Sequence, residues 1–348
     1  MNNLSAQSRE LGLHRVLDEP KVMPQNALKL DSQSPLAPNE VKLAVEILQI
    51  DAASFAQLKT VCPDEASFKS HVMEIVAGRG KMQNPVTGSG GMLLGRIVEI
   101  GSDYPDKKLV VGQKVATLVS LTATPLKLTR IDCVDFGKER VFVTGEAILF
   151  ERSLYAVMPS DLSEGVALAS FDICGAPLLT VNHVKAGDTV FLLGLGKAGK
   201  SVLAGVRRRF ANKVRVLCAD ASASAVAYAK AADAGFSGAS SVLNARDPIA
   251  VADWVRAQNN GKLADVTVNL VNVSNTELPA ILATEDGGRC LFFSMATDFQ
   301  KATLGAEAAG KDVQLIMGSG YVKGHADFML ELVRNDKNLR DYFEKEFG

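Results

Sequence analysis

The stretch "VFLLGLGKAGKSVLAGV" sets Gly194, Gly196 and Gly199 in a G-x-G-x-x-G spacing between an apolar run and a helix-like segment. In such a turn the first glycine permits the tight bend and the second lets a pyrophosphate approach the backbone. The third lets the helix pack closely on the strand. A helix that starts there offers unpaired N–H groups and a partial positive charge to an anion. Leu195, Lys197 and Ala198 complete the loop that would hold it. A second apolar run, "KVRVLCAD", ends in Asp220, about 20 residues on, where a carboxylate can hydrogen-bond an adenosine ribose. "SASA" follows with no cation to clamp a 2′-phosphate, so the pattern favours NAD over NADP. The plainer alternative for Asp220 is a turn residue at a strand end. Motif and carboxylate together favour dinucleotide binding.

The elements that must position this loop alternate after Pro159. "DTVFLLG", "KVRVLCAD", "SVLN", "DVTVNLVN", "GRCLFFS" and "VQLIMGS" read as short strands, separated by the helical segments "KSVLAGVRRRFA", "SAVAYAKAADAG" and "IAVADWVRAQNN". Strands apolar on both faces and separated by helices mark a doubly wound parallel sheet. The ends of "DVTVNLVN" and "GRCLFFSM" then place Asn272, Ser294 and Met295 near a bound nicotinamide. The first part of the chain is β-rich, with "EVKLAVEILQI", "MLLGRIVEIG", "LVVGQKVATLV" and "KLTRIDCVDFGKERVFVTGEAILFE". It holds one helical pattern, Ala66 to Gly80, with Gly78 or Gly80 as its stop. "SDLSEGVALASFDICGAPLLTVNHV" begins like a helix capped by Ser160 or Asp161, with Glu164 in its first turn.

Composition narrows the field. A chain of 348 residues favours two domains. Its net charge of -1 gives no surplus to attract nucleic acid. Its apolar runs are far short of the roughly 20 residues of a membrane span. No secretory leader is expected from "MNNLSAQSRELGLHRV", which leaves a cytoplasmic protein as the expectation. The five cysteines stand at 62, 133, 174, 218 and 290 without a C-x-x-C pair. Reduced, mostly buried thiols are expected.

A β-rich half followed by this loop resembles the medium-chain dehydrogenase/reductase superfamily. "GRIVEIGS", "LVVGQKVA" and "VKAGDTVFLLGLGKAG" carry the likeness over nearly the whole chain. The resemblance implies an α/β protein with a β-rich GroES-like N-terminal catalytic domain, residues 1–162. A Rossmann-type doubly wound parallel-sheet NAD-binding domain follows, residues 163–321, and residues 322–348 are a candidate addition to the first domain. Registered on the family pattern, Gly91 and Met92 stand where zinc relatives have His and Glu. Asp51 and Ala169 fall at the first and third ligand positions. Glycine and alanine cannot bind zinc and one carboxylate cannot hold it alone, so no metal is expected. The glycines of "NPVTGSGGMLLGRIVEIG" are expected to leave room for a substrate.

Within that superfamily, "RGKMQNPVTGSGGML", "VATLVSLTATPLKL", "GEAILFE" and "GSGYVKGHADF" are similar to the L-erythro-3,5-diaminohexanoate dehydrogenases of lysine fermentation. That likeness implies NAD-dependent oxidation of a 3-amino group to an imine, which water converts to 5-amino-3-oxohexanoate and ammonia. Such chemistry needs a base to free the nitrogen lone pair. The candidates are Asp51 at the old metal position, Asp172 just past the third, and Glu151. The plain alternatives are a helix cap, a backbone contact and a solvated strand end. Lys81, Asn84, Thr87, Ser89, Tyr321 and His325 are candidates for binding a small diamino acid. Lys81 has a surface charge as its alternative, and His325 a helix start. The chain ends soon after Tyr321, so a neighbouring subunit of a homo-oligomer, dimer or higher, is a candidate to complete the cleft. Two other readings are a zinc-free quinone or enoyl reductase using NAD(P)H and a non-catalytic redox sensor.

Overall fold

A computed structural model describes residues 6–18, 22–118, 120–318 and 320–348. The N-terminal stretch expected to lack a leader begins with residues 1–5, outside the described residues. The chain divides into two compact units, Met1–Leu168 and Ala169–Gly348. The division falls a few residues after the expected 162/163 boundary.

The first unit opens with the short helix α1 (Ala6–Glu10) and is built on strands β1 (Val41–Gln49), β2 (Met92–Ile100), β3 (Lys114–Thr117), β4 (Leu126–Asp135), β5 (Arg140–Leu149) and β6 (Tyr155–Val157). They form one antiparallel sheet in the order β4-β5-β1-β2-β3-β6. Two helices lie between β1 and β2: α2 (Ala52–Val61), absent from the sequence reading, and α3 (Glu65–Arg79). The second stops at Gly80, whose φ of +64 suits glycine. Phe55 of α2, Phe68 of α3 and Phe136 of the β4–β5 turn meet with ring centroids 5.0 to 5.9 Å apart. These rings seat both helices on the sheet.

At the chain boundary lies α4 (Glu164–Phe171). Its cap differs from the expected Ser160 or Asp161: the Ser163 hydroxyl accepts the Val166 N–H at 3.3 Å. Ser163 precedes the first helical residue directly, which is the position from which a hydroxyl reaches the free amides.

The second unit continues with α5 (Gly175–Asn182), β7 (Thr189–Leu193), α6 (Lys197–Phe210), β8 (Arg215–Asp220), α7 (Ala223–Ala232), β9 (Gly238–Val242), α8 (Pro248–Gln258), β10 (Ala264–Asn269), α9 (Glu277–Leu282), β11 (Thr284–Phe292), α10 (Phe299–Ala308), β12 (Gln314–Met317), α11 (His325–Asn335) and α12 (Lys337–Phe347). Its sheet is parallel, in the order β12-β11-β10-β7-β8-β9. Alternate side chains feed two cores. Val190, Leu192, Val216 and Cys218 face one layer with α5, α6 and α7. Phe191, Leu193, Leu217 and Ala219 face the other with α8, α9 and α10. This is why the strands read as unbroken apolar runs. Strand order reverses beside β7, which opens a crevice at the carboxyl ends of the strands. Residues 322–348, the candidate addition to the first domain, cluster with this second unit instead. The apolar faces of α11 and α12, with Met329, Leu332, Val333, Leu339 and Phe343 buried, pack on α5 and α6.

Among the described residues no single helix is long and apolar enough to cross a membrane. Four cysteines are buried, as expected, and Cys133 is exposed.

A buried charge cluster fixes the start of the first unit. Glu40 Oε1 lies 2.7 Å from His14 Nε2 and accepts Arg15 Nε at 2.8 Å, while Oε2 accepts Arg15 Nη2 and the Ala37 amide. Arg15 also donates to the carbonyls of Ser34 and Pro35. Burial alone would raise the Glu40 carboxyl, but these hydrogen bonds outweigh it and draw its pKa from 4.5 down to about 2. The carboxylate therefore adds stability that is fully present above pH 4.5 and lost as pH falls toward about 2. Glu40→Gln should cost about 3 kcal/mol at pH 7 by removing the carboxylate that neutralises the buried Arg15 guanidinium at closest range. In urea titrations the variant and parent should converge as the pH approaches that lower limit. A constant gap across pH would contradict this account.

Candidate functional site

The loop after β7 has the geometry its glycines predict. Gly194 has φ +100, and a Cβ on Gly199 would stand 2.1 Å from the Gly194 carbonyl oxygen. Both positions are thus required by the fold itself. Gly196 differs, because a Cβ there would meet no protein atom within 4 Å. Nothing in the protein requires glycine at that point, which fits a loop kept bare for a ligand. Gly196 also precedes α6 without any side-chain cap, so the first amides of the helix are left for an anion. The Asp220 carboxylate braces the loop, accepting the Leu195 N–H at 2.6 Å and the Ser222 N–H at 2.7 Å. Each oxygen keeps a lone pair for a ribose hydroxyl. A cavity of about 610 Å³ opens beside Gly196 and Asp220. These residues fit a dinucleotide.

Two other expected contacts come together at the strand ends, where the Ser294 hydroxyl donates to Asn272 Oδ1 at 3.2 Å. Met295 follows and is 87% exposed. Asp172 sits in the break between α4 and α5, and Lys197 Nζ lies 2.6 Å from its Oδ2. Its carboxylate thus faces a cation and is part-exposed. Tyr321 and His325 meet edge to face at 5.2 Å. His325 is buried, and burial lowers its pKa below 6.5, so the ring is neutral near pH 7.

The first unit gathers a second cluster, around Asp51, at the start of α2. Asp51 Oδ1 caps the helix by accepting the Ser54 N–H at 3.0 Å, and Oδ2 accepts the Ser89 hydroxyl at 2.6 Å. Ser54 Oγ, which is fully buried, lies 2.8 Å from Ser89 Oγ and 2.6 Å from Thr87 Oγ1. Proton counting fixes the direction of this chain. A carboxylate only accepts, so Ser89 donates to Asp51 and must accept from Ser54. Ser54 has then spent its one proton and accepts from Thr87. The chain runs from Thr87, an exposed residue, to a carboxylate, with every proton pointing toward Asp51. The cap alternative for Asp51 is thus what the structure shows, with its second oxygen ending the hydroxyl series.

Ser54 was missed in the sequence. Its only signal is a position three residues after a capping aspartate, where a first-turn side chain lies beside the cap.

Three expected site residues are assigned differently by the structure. Lys81 is fully buried, and its ammonium donates to the carbonyls of Pro24 at 2.7 Å and Gln25 at 3.0 Å. Burial, with Arg79 nearby, lowers its pKa to about 8. It pins the chain before β1 and has no free face for a carboxylate. Asn84 is also buried, its amide donating to Gln57 and its oxygen accepting the Val86 and Thr87 amides. It shapes the turn that presents Thr87. Glu151 follows β5, whose Leu149 pairs with Val41, whereas Asp51 follows Gln49 at the other end of the nine-residue β1. The two carboxyls are roughly 30 Å apart along the strand and cannot act together.

Two glycines of the cluster, Gly90 and Gly91, depart from the expectation of open space, whereas a Cβ on Gly88 would meet nothing within 4 Å. A Cβ would stand 2.3 Å from the Met82 carbonyl at Gly90 and 2.1 Å from the Gln49 carbonyl at Gly91, which has φ +99. These glycines let backbones pass closely; they do not clear space for a substrate. Among the described residues, no group of three or more His, Cys, Asp and Glu side chains is placed to hold a metal ion.

Comparison with known proteins extends this picture. Residues 14–159 match the family described as L-erythro-3,5-diaminohexanoate dehydrogenase N-terminal domain. A protein of Acetoanaerobium sticklandii named L-erythro-3,5-diaminohexanoate dehydrogenase is 43% identical over 97% of this chain and 98% of its own length. One of Fusobacterium nucleatum with the same name is 41% identical over 96% and 97%. The fold is that of the alcohol dehydrogenase TADH from Thermus sp. ATN1, with a TM-score of 0.55 at 16% identity, over 88% of this chain and 86% of that one. Similarity of this degree over nearly the full length of two relatives shows that the chain belongs to the L-erythro-3,5-diaminohexanoate dehydrogenase family.

Proposed function

We propose that this protein catalyses the NAD-dependent, zinc-independent oxidative deamination of L-erythro-3,5-diaminohexanoate to 5-amino-3-oxohexanoate and ammonia, a step of lysine fermentation. The name its relatives carry supports the substrate. The observation that carries the chemistry is the Thr87–Ser54–Ser89–Asp51 chain. NAD supplies the hydride acceptor when bound at the glycine loop.

The chain's own residues handle the protons. A substrate ammonium that hydrogen-bonds Thr87 Oγ1 passes a proton to it as the Thr87 proton moves to Ser54. The Ser54 proton moves to Ser89, and the Ser89 proton to Asp51. The amine is left neutral with a lone pair, which displaces the C3 hydride as the C=N bond forms. Water adds to that bond, the C–N bond breaks, and ammonium leaves. The proton held on Asp51 is the one finally released. Acid–base catalysis by a positioned group of this kind contributes about 10²–10⁴-fold.

Selectivity for NAD rests on Asp220, whose charge opposes a 2′-phosphate, and on the absence of a cation in the residues just after it.

The purified protein should reduce NAD with this substrate, release one ammonia per turnover and keep its rate in chelator. Turnover of quinones with NADPH instead would overturn the assignment. Asp51→Asn keeps a capping side chain but not the proton acceptor, so it should lower kcat about 100-fold or more and leave NAD affinity intact. Steady-state kinetics with NAD titration check both halves, and unchanged kcat removes Asp51 from the mechanism. Asp220→Ala should weaken NAD about 10- to 100-fold, the loss of hydrogen bonds to a charged group, and narrow the preference over NADP. Equal losses for both cofactors would place the selectivity elsewhere.

A further inference from the structure

The last helix, α12, lies against the glycine loop. Its Tyr342 ring centroid is 4.1 Å from Lys200 Nζ, and the Tyr228 ring is 5.2 Å from the same ammonium. The two tyrosines meet edge to face with centroids 5.8 Å apart. Lys200 Nζ donates to the Leu195 carbonyl at 2.8 Å, so an ammonium in contact with two rings also holds the loop. One helical turn further, the Phe347 ring lies 5.4 Å from Lys197 Nζ. Both lysines of "GKAGK" thus meet an aromatic side chain of α12. A ring face attracts a cation, and most strongly where water is excluded. Lys200 is 8% exposed, which puts its contact in that stronger range.

The same helix bounds the cavity beside the loop. Gly196, Asp220 and Ser222 line one side, and Asp341, Tyr342 and Glu346 line the other. Its volume of about 610 Å³ lies within the range of small-molecule sites, about 300–1,000 Å³.

We infer that α12 is part of the dinucleotide site. It walls the pocket for the adenosine half of the cofactor, and Tyr342 acts as a positioning residue that holds the loop in its binding form through Lys200 and the Leu195 carbonyl. This rests on the reading of the loop as a dinucleotide site. A loop already held in its binding form loses less entropy on binding, so the brace contributes to affinity and not to the chemical step.

Calorimetric titration of the full-length protein with NAD tests the brace. Tyr342→Leu, which keeps apolar bulk but removes the ring, should raise the Kd about tenfold. The KM for NAD should rise with it, while kcat at saturating NAD stays unchanged. Tyr342→Phe keeps the ring and should bind like the parent. Hydrogen exchange of the unmodified protein tests the wall: saturating NAD should slow the amides of residues 337–347.

A parental Kd in Tyr342→Leu, or a Phe variant as weak as the Leu one, would overturn the brace. Unchanged exchange over α12 with NAD bound would overturn the wall. Asp220→Ala is the control. If it weakens NAD while both α12 measurements stay at parental values, the inference about α12 fails alone. If it also leaves NAD affinity unchanged, the reading of the loop fails.

Discussion

The second unit turns on the distance between Gly199 and the carbonyl of Gly194, where a Cβ would stand 2.1 Å from the oxygen. Because that space is closed to any side chain, α6 can begin directly above the end of β7. The helix N-terminus then points into the crevice where the order of the sheet reverses. Asp220 reaches the same loop from the neighbouring strand and ties it to β8 through the Leu195 amide. Loop, helix start and carboxylate are therefore three consequences of one close contact. The buried layers on either side of the sheet supply the stiffness that keeps it closed.

The first unit solves a different problem, the holding of polar groups inside an apolar shell. Glu40 and Arg15 neutralise each other and use their remaining hydrogen-bonding capacity on backbone near the chain start. Lys81 is held by two carbonyls. In these two places the polar groups bond to backbone and to each other and serve the scaffold. At the start of α2 the polar atoms form a series that ends at Thr87, an exposed residue. That contrast is what sets the Asp51 cluster apart from the two scaffold clusters.

Much of this was legible in the sequence because it is local. The spacing of Gly194, Gly196 and Gly199, the apolar runs of β7 and β8, and Asp220 at a strand end are all set by neighbours along the chain. The β-strands of the first unit and the stop of α3 at Gly80 were readable for the same reason. What escaped depends on tertiary contact. The ten residues of α2 have no clear apolar stripe, and Phe55 is seated by Phe68 and Phe136 from later in the chain. Lys81 looks like a surface charge until the carbonyls of residues 24 and 25 are folded over it. Asp172 has Lys197 as its partner, 25 residues away along the chain. The role of α12 was hidden likewise, because aromatic contact with Lys200 joins segments more than a hundred residues apart.

The three loop glycines also carry different kinds of information. Two are demanded by the path of the backbone, one through its left-handed φ and one through close approach. The third, Gly196, has open space around its missing side chain. A descendant of this chain that kept the fold but no longer bound its cofactor would still need glycine at positions 194 and 199. Position 196 would be free to drift. In such a lineage the residue found at 196 records whether the ligand is still there.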